Sequence, residues 1–414
     1  MDTKLRNIKE KKNNSLILVW NIALWYQAIR YIFILIGVEE YLGIVLKIII
    51  AISVVLFLYG ITYNYKIIIK RDYTVVIPIV FGLILIMSYI YNNSNEYIRN
   101  YLVNYFQYMF IPLIALIAIN KESYRNFIRI YFDFAIVFFV VLGFSPFLYP
   151  GLFTNDMAYG FAISLPCGIA FYIGRHYLNK KWIIPFEIAC YIMGIVSSTR
   201  STILSFVFMI VICNLILHKT TVKRALLYML GLITGLVLYF NLLNILNFLI
   251  DFLRTKYNYY SRSLSFLYMG ITGDTRLTGG YGNFYSGRDI IQEKAFNVFE
   301  TNFLTGVGIG GFESRYGMYS HNILFDFALV WGVLGIIVFV IIVIYSTKTI
   351  LRVEKGDISY QTGLLLLLLC LWCPKLFFSL TFVKDLGFWS FIIFCIKVNQ
   401  NKRLLSGKEA IVQQ

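Results

Sequence analysis

Long apolar stretches, separated by short polar connections, run along almost the whole chain. A stretch of about 17–25 apolar residues is long enough to cross a bilayer as one helix. About twelve such stretches are predicted as membrane spans: residues 15–36, 41–62, 74–91, 102–119, 130–149, 157–174, 182–198, 201–217, 225–249, 322–346, 362–380 and 386–398. One polar block, from Asp251 to Ser320, interrupts the pattern. The sequence therefore predicts an all-α polytopic membrane protein with one large loop outside the bilayer.

The composition agrees with this pattern. The chain is 59% hydrophobic and 14% charged, whereas soluble domains are about 45–50% apolar and about 25% charged. The 32 Tyr and 36 Phe residues suit the packing of a helical bundle and the two bilayer interfaces.

The basic residues follow the order of the predicted spans. The net charge is +16, and most of the 37 Lys and Arg residues lie in alternate connections, beginning with the segment before the first span. Connections rich in Lys and Arg face the cytoplasm. Both termini are therefore expected in the cytoplasm, and the polar block outside it. Because the charge reports topology, membrane lipids are predicted as partners and nucleic acid is not.

Three parts follow from this organisation. Residues 1–250 hold the N-terminal transmembrane helices, about nine spans. Residues 251–320 form the large extracytoplasmic loop, and residues 321–414 hold the C-terminal transmembrane helices and a cytoplasmic tail. Within the loop, 258–287 is rich in Tyr, Ser, Gly and Thr and is expected to be rich in turns.

A short amphipathic helix is predicted at the end of this loop. Ser286 is a suitable N-cap. Apolar residues recur on one face at helical spacing, namely Ile291, Ala295, Val298, Phe299 and Phe303. That face is expected to lie on the membrane surface or against the bundle.

Two arginines are candidates for binding an anion. Arg288 falls in the first turn of the predicted amphipathic helix, where a cation opposes the helix dipole unless an anion binds there. Arg200 lies in a short outer connection, and such connections contain few arginines in this chain. The alternatives are a solvated loop arginine at 288 and an interfacial anchor at 200.

His321 is the candidate for acid–base chemistry, because imidazole titrates near neutral pH. It stands with Asn322 at the head of a predicted span. An interfacial or capping role is the alternative. Asp326 shares a helix face with Asn322 but not with His321, so it is not an obvious partner for the imidazole. No ligand set with metal-binding spacing lies nearby, and no metal is predicted.

Ionisable residues inside predicted spans are costly in hydrocarbon. Arg30, Lys47 and Glu187 are therefore expected to face the bundle interior or an outer cavity. Arg30 and Lys47 both fall near the outer ends of their spans, so they could extend a basic vestibule towards Arg200.

Several short motifs occur in a fixed order between residues 190 and 340. They are Ser-Thr-Arg-Ser at 198–201, Ser-Gly-Arg at 286–288, a glycine-rich turn ending in Phe at 308–312, His-Asn at 321–322 and Trp-Gly-Val-Leu-Gly at 331–335. With these motifs in this order, the chain resembles the bacterial O-antigen ligase and Wzy-type polysaccharide polymerase superfamily. The other spans are similar only in number and hydropathy.

The resemblance implies a GT-C-type membrane glycosyltransferase that is metal-independent, needs no cofactor and uses an undecaprenyl-diphosphate-linked oligosaccharide as donor. Arg200 and Arg288 would bind the diphosphate, and His321 would take a proton from the acceptor hydroxyl, with inversion at the anomeric carbon. Asn322, Ser286 and Gly308 would support the site.

The expected function is an O-antigen or capsular polysaccharide polymerase in the cytoplasmic (inner) membrane, which joins lipid-linked repeat units. Two alternatives stay open. One is a glycan ligase of the same superfamily, and the other is a flippase or transporter of lipid-linked sugars. A chain-length regulator and a flippase are left open as further partners.

Overall fold

The computed structural model describes residues 2–71, 73–91, 95–149, 152–153, 156–197, 200–217, 242–257, 259–272, 288–353, 359–378 and 380–412. Every regular element in these ranges is a helix, as the apolar pattern predicts. The α-helices are α1 Asp2–Leu24, α2 Tyr26–Leu35, α3 Leu42–Arg71, α4 Val76–Tyr91, α5 Glu96–Asn104, α6 Phe110–Ala118, α7 Tyr124–Leu142, α8 Ser145–Leu148, α9 Asp156–Tyr159, α10 Leu165–Tyr177, α11 Ile184–Ser197, α12 Arg200–Leu217, α13 Leu242–Tyr257, α14 Arg262–Thr272, α15 Arg288–Thr301, α16 Gly311–Tyr316, α17 Ile323–Leu351, α18 Tyr360–Phe378 and α19 Leu386–Val412.

Six helical stretches in the described ranges are long and apolar enough to cross a membrane: Glu39–Asn64, Tyr73–Tyr91, Glu96–Ala118, Lys121–Leu148, Ile323–Leu351 and Tyr360–Phe377. The bent pair formed by α1 and α2 would make a seventh. The chain is therefore a polytopic membrane protein. The count of about twelve spans stays a prediction. Ser201–Leu217 and Leu386–Gln400 are shorter apolar helices, and much of the predicted span 225–249 lies outside the described residues.

The predicted span 15–36 is broken. α1 and α2 meet at a bend of 64°, and Trp25 between them has a non-helical backbone (φ −85°, ψ 6°). The Trp25 ring is fully buried. Its centroid lies 5.5 Å from that of Tyr131 and 4.9 Å from that of Phe138. We attribute the break to this packing, which an uninterrupted apolar pattern does not reveal.

Two further predicted spans contain π-helical turns, at Tyr105–Met109 and Gly160–Ser164. A proline, Pro112 or Pro166, follows each turn within three residues. Because proline has no N–H, the carbonyl four residues before it, which lies inside the π-turn, loses its helical donor. The π-turn accommodates the missing hydrogen bond without ending the helix.

The three intramembrane charges have different surroundings. Glu187 faces the interior, as predicted, and is paired with Arg175 through two contacts, Nε–Oε2 at 2.8 Å and Nη2–Oε1 at 3.1 Å. The hydroxyl of Tyr191 also donates to Glu187 at 2.9 Å. Arg30 is half-buried and lines a cavity. The expectation for Lys47 was wrong: it is exposed, because α3 leaves most of its surface uncovered.

The polar block is more helical than its composition predicts. Arg262–Thr272 form α14 inside the segment that was expected to be rich in turns, so that expectation was partly wrong. The reason is burial. Leu264 packs with Leu253 of α13 and Val196 of α11 in one apolar cluster, and the Ser261 hydroxyl donates to the Val196 carbonyl at 2.6 Å.

α15 confirms the predicted amphipathic helix. Ile291, Ala295 and Val298 are buried, and this face packs on Phe312 of α16 and on α17. Of the two predicted positions for the face, contact with the bundle is therefore the one observed. Phe303 lies beyond the end of the helix and is exposed.

Candidate functional site

His321 lies in the short segment that joins α16 to α17, at the head of a candidate span, as predicted. Its φ is +61°, a left-handed value that residues other than glycine adopt infrequently. The imidazole lies against the ring of Tyr319, with centroids 4.4 Å apart. Unfavourable backbone conformations persist only where the surroundings fix them, and they cluster at functional sites.

Hydrogen bonds on both sides of His321 hold its segment in place. The buried Ser320 hydroxyl donates to Asp326 Oδ1 at 2.5 Å and accepts from the Asn322 N–H at 3.3 Å. The Asn322 side chain caps α17 by accepting from the N–H of Leu324 at 2.9 Å. Asp326 thus fixes Ser320, the neighbour of His321. Helical spacing does not reveal this contact, because Ser320 lies outside the helix.

The glycine-rich turn before α16 contacts a kink in α17. Gly332 has φ +61° and ψ −143° and interrupts the helix. Two backbone N–H groups, one just before the turn and one at its first residue, donate to the carbonyls next to this kink. The Val307 N–H donates to the Leu329 carbonyl at 2.6 Å, and the Gly308 N–H donates to the Val330 carbonyl at 3.2 Å. Non-helical backbone at membrane depth needs such internal partners.

Gly308 has φ +76°, and a Cβ at this position would meet no atom within 4 Å. The left-handed backbone, rather than crowding, therefore favours glycine here. Gly308 also lines a cavity of about 10 Å³ together with Glu313, Asp326 and Thr381. The structure thus brings Gly308 close to the residues that hold the His321 segment.

The two candidate arginines begin helices, as the motifs predict. Arg200 is the first residue of α12, and Arg288 is the first residue of α15. α15 packs against α17, the helix that follows His321. α12 and α17 both pack against α18. Ser286 lies outside the described residues.

Glu313 is a buried carboxylate that no sequence motif indicates. It lies on α16 with 8% of its surface exposed, and the Tyr101 hydroxyl donates to its Oε1 at 2.7 Å. The ammonium of Lys384 lies 4.6 Å from the centre of the Tyr101 ring. Burial raises the pKa of the Glu313 carboxyl above its ordinary value, and the hydrogen bond from Tyr101 opposes this shift. Tyr101 and Glu313 are 212 residues apart, so no local motif could have predicted the pair.

We expect replacement of Glu313 by glutamine to remove a pH-dependent loss of stability. A carboxyl with a raised pKa in the folded state contributes stability below its unfolded-state pKa, and this contribution is lost as the pH rises through the folded-state pKa. Glutamine still accepts from Tyr101 but does not titrate. Thermal unfolding in detergent should show wild type losing stability relative to Glu313→Gln as the pH rises above about 4.3, the ordinary pKa of a glutamate.

Glu300→Gln is the matched control for this measurement, because Glu300 is exposed on α15. It should follow the wild-type pH dependence. Parallel pH curves for wild type and Glu313→Gln would contradict the prediction.

The fold and site define a class: an all-helical, polytopic membrane protein with a rigidly held histidine at the head of a kinked span. Comparison with known families then gives a family for part of the chain. Residues 187–340 match the family described as O-antigen ligase. The matched range contains Arg200, Arg288 and His321, and it confirms the resemblance to the O-antigen ligase and Wzy-type superfamily. No curated protein matches the chain.

Proposed function

We propose that this protein is a polysaccharide polymerase that joins undecaprenyl-diphosphate-linked oligosaccharide repeat units of an O-antigen or capsule. The observation that carries the proposal is the family match over 187–340, together with the fixed, left-handed His321 inside that range. The family match supports glycosyl transfer on lipid-linked sugars. The held histidine supports an acid–base role at one defined position.

In the proposed step, a hydroxyl oxygen of the acceptor glycan attacks the anomeric carbon of the donor. The bond between that carbon and the diphosphate oxygen breaks, and undecaprenyl diphosphate leaves with the bonding electrons. His321 takes the proton of the attacking hydroxyl. Arg200 and Arg288 stabilise the charge that develops on the diphosphate. A single displacement of this kind needs no metal and inverts the anomeric configuration.

The reaction takes place at the outer face of the cytoplasmic membrane in this proposal. The alternation of basic connections favours cytoplasmic termini and an extracytoplasmic 251–320 block. The segment carrying His321 would then meet substrates on that outer side, where lipid-linked repeats arrive after a flippase has moved them. A chain-length regulator is a further proposed partner.

A glycan ligase is the second candidate, and the family description as O-antigen ligase favours it. A ligase transfers a finished glycan once, to a different acceptor. The chemistry at His321 is the same in both cases, so the difference lies in the acceptor.

An assay with purified protein and undecaprenyl-diphosphate-linked repeats tests the proposal. A ladder of products differing by one repeat is expected from a polymerase. A product formed only after a second, non-identical lipid acceptor is added would favour the ligase.

In cells, Arg288→Ala should stop chain growth while lipid-linked repeats still reach the outer face. Loss of outer-face repeats in that variant would favour a transporter.

A further inference from the structure

A cavity of about 470 Å³ lies among the helices of the bundle. Its wall is formed where the helices lose regular geometry. Tyr26 lies beside the break between α1 and α2, Tyr108 and Phe161 come from the two π-turns, and Lys375 follows Pro374 inside α18. Irregular backbone inside a membrane is tolerated where it lines a cavity, and π-turns recur at functional sites. Three distortions of the bundle and a proline inside α18 therefore lie beside one space.

The charge around this cavity is mainly positive. Its described charged residues are Arg30, Lys375, Lys384 and Asp385. Asp385 is already engaged, since it forms an ion pair with Lys375 and accepts from the N–H of Phe388 at 2.7 Å. Arg30 Nε is buried and makes no hydrogen bond within the part of the chain that the structure describes. Among the described lining residues, three cations therefore stand against one carboxylate.

The cavity adjoins the region around His321. Thr381 lines it and also lines the small cavity that Glu313 and Asp326 share. Lys384 lies over the ring of Tyr101, whose hydroxyl donates to Glu313. Burial raises the pKa of the Glu313 carboxyl and lowers the pKa of the Lys384 ammonium, and the opposite charges of the two groups oppose both shifts.

The lining selects a class of ligand. A single carboxylate is matched by one arginine, whereas a diphosphate presents many acceptor oxygens and suits several separate cations. Neutral polar groups also line the space, including Gln27, Asn104 and the hydroxyls of Tyr26 and Tyr108, which are hydrogen-bonded to each other at 2.7 Å. The volume lies in the range of small-molecule sites, about 300–1,000 Å³.

We propose that this cavity binds a second diphosphate group, that of the acceptor substrate, while Arg200 and Arg288 bind that of the donor. The inference rests on the proposed polymerase function. A polymerase joins two molecules that each carry a lipid diphosphate, whereas the acceptor of a ligase is a different molecule. The described cations of the proposed acceptor site come from α2, from α18 and from the segment between α18 and α19.

Binding of undecaprenyl diphosphate without any glycan tests the inference. Protein in detergent is titrated with this lipid, and bound equivalents are counted by native mass spectrometry. Wild type should bind two equivalents. The variant carrying both Arg30→Gln and Lys384→Gln should bind the second at least about tenfold more weakly, because charged hydrogen bonds are lost. Lys47→Gln is the matched control, since Lys47 is exposed on α3, and it should bind as wild type does.

The outcomes separate the possibilities. Two equivalents bound with unchanged affinity by the double variant, or one equivalent bound by wild type, would overturn the inference. Inorganic diphosphate is tested as a competitor for the second equivalent. If it displaces that equivalent as efficiently as the lipid does, the cavity is a site for the free anion, and the acceptor assignment is overturned. Thermal unfolding of each variant, and each single substitution, separates loss of binding from loss of folding.

The same measurements distinguish this inference from the proposed function. If the protein binds two equivalents but builds no product ladder, the polymerase proposal is refuted and the two diphosphate sites are supported. In the opposite case, wild type builds a ladder and the double variant still binds both equivalents with wild-type affinity. That result would support the polymerase proposal and refute the cavity site.

Discussion

Replacement of His321 by asparagine is expected to lower the rate of glycosyl transfer by at least about 100-fold, because a positioned general base contributes typically 10²- to 10⁴-fold. Asparagine is chosen because it tolerates the left-handed backbone that His321 adopts (φ +61°). The segment held by Ser320 and Asp326 should therefore keep its conformation. The rate is measured as the initial appearance of elongated glycan from lipid-linked repeats by purified protein.

His176→Ala is the control for loss of a histidine as such. His176 lies in the last turn of α10, with its ring 4.8 Å from that of Tyr172, and the proposed mechanism does not use it. It should retain wild-type activity. The role of His321 would be refuted if a folded His321→Asn protein kept more than about a tenth of the wild-type rate.

The sequence predicted much of the fold because lipid imposes one requirement on every span. A helix that crosses hydrocarbon must be apolar over its length and must satisfy its own backbone, and both properties are readable locally. The helical class follows from them, and the helix beginning at Arg288 follows from the helical spacing of its apolar residues. The same uniformity conceals where a span breaks, and neither the bend at Trp25 nor the kink at Gly332 alters the apolar pattern.

The site was predictable only where its residues are close in sequence. The order of motifs placed Arg200, Arg288 and His321 at the starts of helices or just before one, and the structure places them there. The contacts that hold the site cross long distances in the chain. Glu313 meets Tyr101, and Thr381 lies beside Asp326. Such pairs depend on how the helices pack, which hydrophobic periodicity does not specify.

Charged residues in spans illustrate the same limit. The cost of a charge in lipid predicted correctly that Glu187 turns inward, and Arg175 supplies its partner. The same argument was wrong for Lys47, because α3 is largely uncovered. Arg30 was expected to face a basic vestibule and does line a basic cavity, but the other cations there, Lys375 and Lys384, come from the far end of the chain.

Replacement of Gly332 by alanine is expected to have the largest effect on stability. The φ and ψ of Gly332, +61° and −143°, lie in a region that is essentially restricted to glycine and costs other residues about 1–3 kcal/mol. In addition, a Cβ at this position would stand 2.4 Å from the Phe303 carbonyl oxygen and 2.6 Å from that of Leu304. Because these are backbone atoms, the clash is relieved only by moving the turn. We expect a loss of roughly 3 kcal/mol or more in the free energy of unfolding, measured by chemical or thermal unfolding in detergent.

Gly37→Ala is the matched control. Gly37 has a similar φ of +77°, but a Cβ there would meet nothing within 4 Å, so only the left-handed backbone is penalised, by about 1–2 kcal/mol. The difference between the two variants isolates the clash at the kink. Gly332→Ala should also lose glycosyl transfer, because the Cβ displaces the backbone of Phe303 and Leu304, which leads to Gly308. The Gly308 N–H donates to the Val330 carbonyl of α17, the helix that His321 precedes. If Gly332→Ala and Gly37→Ala lose equal stability, the backbone facing Gly332 moves without cost when the Cβ is added. The kink would then not fix the site.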